Sequence, residues 1–286
     1  MRWSSVMILL WGCLCWDAEH SQSQDTPPSS ITLERLLPIH KESAEAYSFV
    51  LEGQPKTTIK LQPTPVSQWT NTRRNSGQLG HVFVWNVGKE PVAIAAIYSF
   101  PWQGDASQRR VVHELHALAP TLLQVSRSDS GTLWNPRSPA TRINLSGIIT
   151  SAPTERRFNL ALRQIARRFE GYCLEPSGKR WELRLLPTPL MIYPITRGEQ
   201  SGFGALVGMM GDLGNDLECG LIVEALQDSS TAWQWSFSPI RMTDKETYLQ
   251  FDGSEIWKNV RSVTNTSWRD SDDLYFRFQD KTVPLN

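Results

Sequence analysis

Residues 154–193 constrain this chain most, because they join its most regular helical pattern to its most regular alternating one. In TERRFNLALRQIARRFEG, Phe158, Leu162, Ile165 and Phe169 recur at steps of four, three and four, which lays one apolar stripe along a helix. Arg156, Arg163 and Arg167 fall on another face, and Gly171 ends the helix. Trp181, Leu183 and Leu185 then alternate with Glu182 and Arg184, the period-two signature of a half-buried strand. A helix striped in this way needs an apolar surface to cover, and the strand after it supplies one. The stretch predicts one main helix packed on a sheet.

The remaining patterns are mostly those of strands. Residues 33–51 carry a weaker helical pattern around Ala44, Tyr47, Val50 and Leu51, closed by Gly53 and Pro55. HVFVWNV and VAIAAIYSF, joined by GKEP with its Gly88, form the clearest hairpin. Both runs are apolar on both faces, which places them centrally in a sheet. Residues 101–110 read as a polar loop and residues 111–119 and 122–126 as short strands. Further strands are expected at 203–209, 219–226, 233–237, 247–251, 255–260 and 274–278. No repeat period is evident. The expected class is α+β, a mostly antiparallel sheet packed on one main helix with a second, shorter N-terminal helix.

The chain opens MRWSSVMILLWGCLCW, one arginine followed by an apolar run over residues 6–16. That run is shorter than the roughly 20 residues needed to span a bilayer and predicts a signal peptide over residues 1–23, cut after the Ser-Gln-Ser that ends at Ser23. The alternative is a lipid anchor on Cys13, since residues 10–13 loosely resemble a lipobox; bulky Trp11 argues against it. Residues 24–32, with Pro27 and Pro28, read as a disordered leader, which leaves residues 33–286 as a single α+β domain. No later run is apolar enough to cross a membrane, so the mature chain is expected to lack a transmembrane segment and to reside in the periplasm or cell envelope. Lys plus Arg and Asp plus Glu number 29 each, so no overall field draws the chain to nucleic acid, and no such partner is expected. Export would allow Cys173 and Cys219 to pair, although two buried thiols are the plainer reading.

A set of local sequences resembles a known family. These are Trp69-Thr70-Asn71 with Arg74, the strand carrying Gly80, Val82, Phe83 and Trp85, and the His113-Glu114-Leu115 segment. The arginine-rich helix, LRLLPTPLMIY at 183–193, GAL at 204–206 and LIVEA at 221–225 complete the set. Together they resemble a family of uncharacterised exported proteins of planctomycete-type bacteria, over residues 69–257. The resemblance implies kinship and export; it implies no activity, ligand or catalytic residue. The chain departs from that pattern where a tyrosine-arginine pair would follow the proline strand, for it has Tyr193-Pro194 there.

Candidate chemistry is sparse. His113 and His116 would share a helix face and could meet a metal there, but a zinc site needs a third ligand, and as a strand they point to opposite faces. Asp212, Asn215, Asp216 and Glu218 lack the spacing of a calcium loop and read as a solvated hairpin turn. There is no nucleophile elbow, and Gly202-Phe203-Gly204 lacks the following helix that a phosphate would need, so neither metal nor cofactor is expected. The arginines of the main helix lack interleaved aromatics for base stacking and read as a solvated face. Arg184 and Glu224 stand out, each charged within an otherwise apolar strand. They are expected to pair across strands or to face outward, and Glu224 is the weak catalytic candidate, with Arg184 beside it. The sequence thus favours a noncatalytic binding or structural module of the cell envelope. The alternative is a hydrolase acting on an envelope polymer, with Glu224 as acid or base and a second carboxylate across a cleft.

Overall fold

A computed structural model describes residues 32–71, 77–103, 105–128, 131–148, 150–211, 214–227, 233–260 and 273–285. The expected signal peptide with Cys13, the leader up to residue 31, Arg74 and Asp212 lie outside them. Residues from Thr32 onward form one compact unit.

The architecture corrects the expected class. Of the described residues, 59% are strand and 11% helix, with the antiparallel sheets curled into half-barrels and two small helices in place of one main helix under a sheet. Helix α2 (Glu155–Ala166) has only 12 residues, starting at the Thr154 cap. Phe169, the fourth member of its apolar stripe, already belongs to the next strand, as does Gly171. The stripe was therefore a helix pattern running into a strand pattern, and both bury their apolar side chains in the same core. Residues 101–110 are likewise strand for most of their length, because the two strands meeting there are 13 residues long each.

The element order repeats. Helix α1 (Leu33–Glu45) is followed by β1 (Tyr47–Leu51), β2 (Ile59–Leu61), β3 (Ser67–Asn71), β4 (Gln78–Val87), β5 (Glu90–Trp102), β6 (Asp105–Ala117), β7 (Leu123–Arg127), β8 (Gly131–Trp134) and β9 (Ile143–Asn144). Helix α2 is followed by β10 (Phe169–Leu174), β11 (Arg180–Leu185), β12 (Met191–Arg197), β13 (Gln200–Gly211), β14 (Leu217–Gln227), β15 (Trp233–Arg241), β16 (Glu246–Phe251), β17 (Ser254–Asn259) and β18 (Tyr275–Pro284). Pairing repeats as well. β1 pairs β7 as β10 pairs β16, and β2 and β3 share one edge of β4 as β11 and β12 share one edge of β13. β4–β5–β6 and β13–β14–β15 are matching meanders. The last strands cross over: β9 pairs β15 of the second half, and β18 pairs β6 of the first. Each half-barrel thus takes a strand from the other.

Local chemistry supports the same plan twice. Thr32 caps α1 and Thr154 caps α2, each hydroxyl accepting from the backbone N–H three residues on. Lys60-Leu61-Gln62-Pro63-Thr64-Pro65 lies between β2 and β3, and Arg184-Leu185-Leu186-Pro187-Thr188-Pro189 lies between β11 and β12. Prolines cannot donate to a ladder, so each segment breaks one edge strand into two short ones. The flanking bonds match, Gln62 N–H to the Val84 carbonyl and Leu186 N–H to that of Gly208, both 2.8 Å. Trp69 lies opposite Gly80 and Tyr193 opposite Gly204. A methyl group on either glycine would sit 2.4 Å from the facing ring, so glycine is what lets each ring lie flat across its neighbour strand.

Three apolar cores follow. In the second half, α2 places Phe158, Leu162 and Ile165 against Val207, Val223 and Trp235, and Phe158 stacks on Trp235 with ring centroids 5.6 Å apart. The first half sets Ala44 of α1 with Phe83, Trp85, Ala95 and Leu115. On the opposite sheet faces, Val82, Ile94 and Val112 meet Leu206, Ile222 and Ile240, so the two half-barrels pack back to back. β4 and β5 are buried over most of their length because helix and second sheet cover both faces. Cys173 and Cys219 are both buried and are not joined to each other in a disulfide. No helix among the described residues is long and apolar enough to cross a membrane.

Candidate functional site

Glu224, the carboxylate singled out from sequence, is fully buried between the half-barrels. Arg197 of β12 grips it with two hydrogen bonds of 2.9 Å, Arg142, just before β9, donates at 3.0 Å, and the Tyr193 hydroxyl donates at 3.3 Å. Arg197 is itself held by Glu90 at 2.8 Å. Burial pushes the Glu224 carboxyl up, but Arg142 and Arg197 together pull it below the ordinary carboxylate range. The two arginines thus favour its ionised form and fix its position. Arg184 is exposed on β11 opposite Met210, whereas Glu224 is opposite Gly204, so their positions along β13 are separated by about 20 Å at the usual strand rise. The structure therefore does not bring Arg184 and Glu224 together.

The counterpart of this cluster in the first half is open to a cavity. Glu114 of β6 is buried, and its Oε1 accepts from Arg277 Nε of β18 at 3.0 Å and from the Tyr98 hydroxyl at 3.2 Å. Arg277 arrives on one crossed-over strand as Arg142 arrives on the approach to the other. Burial is the main force on the Glu114 carboxyl; Arg277 pulls it down, Asp244 and Glu218 push it up, and the result is a pKa raised to about 7. The Tyr98 phenol is pushed far up, first by burial and then by Glu114.

Around this pair lies a cavity of about 210 Å³. Its walls come from both halves: Trp69, Tyr98 and Glu114 from the first, Asp216, Glu218, Asp244 and Lys245 from the second. Trp69 and Tyr98 pack with ring centroids 5.3 Å apart, and the Trp69 indole N–H is buried without a partner. Asp216 accepts from Asn71 at 3.1 Å, and Lys245 pairs with Glu218 at 2.8 Å. Asp216 and Glu218, expected in a solvated turn, are buried, because the start of β14 packs against β3 and the turn after β15. Four carboxylates thus line the cavity together with Arg277 and Lys245.

Other sequence candidates are placed elsewhere. His113 and His116 lie on strand β6 and point to opposite faces; His113 accepts from or donates to Tyr47 at 2.7 Å, while burial drives the His116 imidazole down to about 3. Sequence reading missed Glu114 as a site residue, having weighed its neighbours His113 and His116 instead. The one local signal for it is an acidic residue close to the apolar Val111, Val112 and Leu115; with His113 and His116 around it on a strand that also holds Arg109 and Arg110, it does not stand out as Glu224 does. No family model, no curated protein and no solved structure matches this chain.

Proposed function

We propose that the chain is an exported, noncatalytic binding module of the cell envelope and that its ligand site is the cavity between the half-barrels. The short apolar N-terminal run and the resemblance to exported planctomycete-type proteins support export. The observation that carries the binding reading is a cavity in which four carboxylates outnumber two cations, beside the packed rings of Trp69 and Tyr98. The excess of carboxylates suits an amine, and an aromatic wall suits the apolar face of a sugar ring. An amino sugar of an envelope polymer meets both demands.

Titration of the secreted protein with glucosamine and with glucose, read by tryptophan fluorescence and calorimetry, tests this. Glucosamine binding that is lost in Glu114→Gln supports the reading; absence of binding, or equal binding of glucose, overturns it. The hydrolase alternative moves from Glu224 to Glu114, whose raised pKa beside further carboxylates suits a general acid. Release of reducing ends from an amino-sugar polymer, abolished by Glu114→Gln, would replace the binding reading with that one.

A further inference from the structure

The second half-barrel holds a different kind of cavity, about 380 Å³ in volume, between α2 and the Pro187 segment. Leu162, Leu185, Leu186 and Val207 give it an apolar wall, and Arg163 and Arg167 stand at its edge. Both arginines are exposed, and neither has a hydrogen-bond or ion-pair partner among the described residues. Binding sites for small molecules have this make-up, a mainly apolar concavity of roughly 300–1,000 Å³ with a few polar groups that orient the ligand. The exposed face of α2 continues the theme: Arg156, Arg157 and Leu160 lie beside them, with Leu160 57% exposed.

The first half explains why the cavity exists on one side. The matched strands align Gly80 with Gly204, which puts Phe83 where the second half has Val207. Phe83 is fully buried in its core. The smaller Val207 leaves space under the Pro187 segment.

We infer that this groove binds an anionic single-chain amphiphile, its carboxylate held between Arg163 and Arg167 and its alkyl chain laid against Leu185, Leu186 and Val207. Guanidinium groups bind carboxylates through charge-assisted, often bidentate hydrogen bonds, and the chain gains by leaving water. This inference is independent of the amino-sugar reading, which concerns another cavity.

Calorimetry with decanoate, below its micellar concentration, tests it on the mature secreted protein. Arg163→Glu/Arg167→Glu should weaken binding more than about tenfold, whereas Arg156→Glu/Arg157→Glu, with the same change of charge on the same helix, should leave it within about twofold. Leu186→Asp should abolish it, with circular dichroism melts confirming a folded chain. Failure of the wild type to bind decanoate overturns the inference. So does equal weakening by the two arginine pairs, or equally tight binding of uncharged decan-1-ol.

Discussion

The two half-barrels share one plan and differ in what they do with a buried glutamate. In the second half, Glu224 meets two arginines and a tyrosine and is sealed; in the first, Glu114 meets one arginine that it shares with Tyr98, and a cavity adjoins it. The charges explain the rest. Two cations hold the Glu224 proton off, while burial and two further carboxylates overcome a single cation at Glu114. What repeats is the place and not the chemistry: Glu224, opposite Gly204, matches Tyr98, opposite Gly80, while Glu114 lies on the neighbouring strand β6, so the same back-to-back interface holds a sealed anchor in one half and a carboxyl beside a cavity in the other.

The largest test of this contrast is removal of each carboxylate. Glu224→Ala leaves the part-buried Arg142 without its anion and Arg197 with Glu90 alone, and should cost about 3 kcal/mol in urea unfolding, whereas Glu114→Gln should cost no more than about 1–2 kcal/mol. Equal losses would break the comparison. Acid should also separate the halves, since His40, His81, His113 and His116 all lie in the first and the second has no histidine. Burial lowers His81 to about 4, and burial with the neighbouring His81 lowers His40. Groups whose folded pKa is depressed contribute full stability above their unfolded value of 6.5, and that stability fades as pH falls towards 4. Hydrogen exchange followed from pH 7 downward should show strands β4–β6 losing protection before β13–β15. The reverse order would count against the contrast.

Glycine substitutions sharpen it further. Gly80→Ala and Gly204→Ala each force an aromatic ring aside and should cost about 1–3 kcal/mol by overpacking. Only Gly80→Ala displaces a cavity wall, so only it should also weaken glucosamine binding. Affinity for that amine should rise as pH increases towards about 7, where Glu114 ionises, and fall again once the sugar's ammonium loses its proton; the absence of the rising limb would mean that Glu114 does not face the ligand. Smallest of all, Arg184→Ala should change stability by less than about 0.5 kcal/mol and be additive with Glu224→Ala, since the two positions are far apart. Coupling between them would contradict the strand register.

Local patterns carried much of this structure. Runs apolar on both faces located β4 and β5, period-two runs located β11 and β15, and the four-three-four stripe located α2, because which faces an element buries is encoded in neighbouring residues. The repeat was also legible in part: Lys60-Leu61 and Arg184-Leu185 both precede a Pro-Thr-Pro separated from them by one residue, and an aromatic follows four residues beyond. It went unread because the remaining positions of the two halves share burial rather than identity, as Phe83 and Val207 do. Glu224 was legible as a charge in an apolar strand, whereas Glu114 was masked by the histidines and arginines of β6.

By itself, then, the sequence determined where many of the strands and the body of α2 form, though not that residues 47–51 and most of 101–110 are strand, and it marked Glu224 as a charge costly to bury, since these follow from periodicity and from side-chain solvation. Only the tertiary structure decided that there are two half-barrels back to back, which strands cross between them and which cation reaches which carboxylate. Arg142 lies 82 residues from Glu224 and Arg277 lies 163 from Glu114. Over such separations no local pattern specifies a partner; the sheets must first pack and exclude water before a buried charge selects the cation that satisfies it.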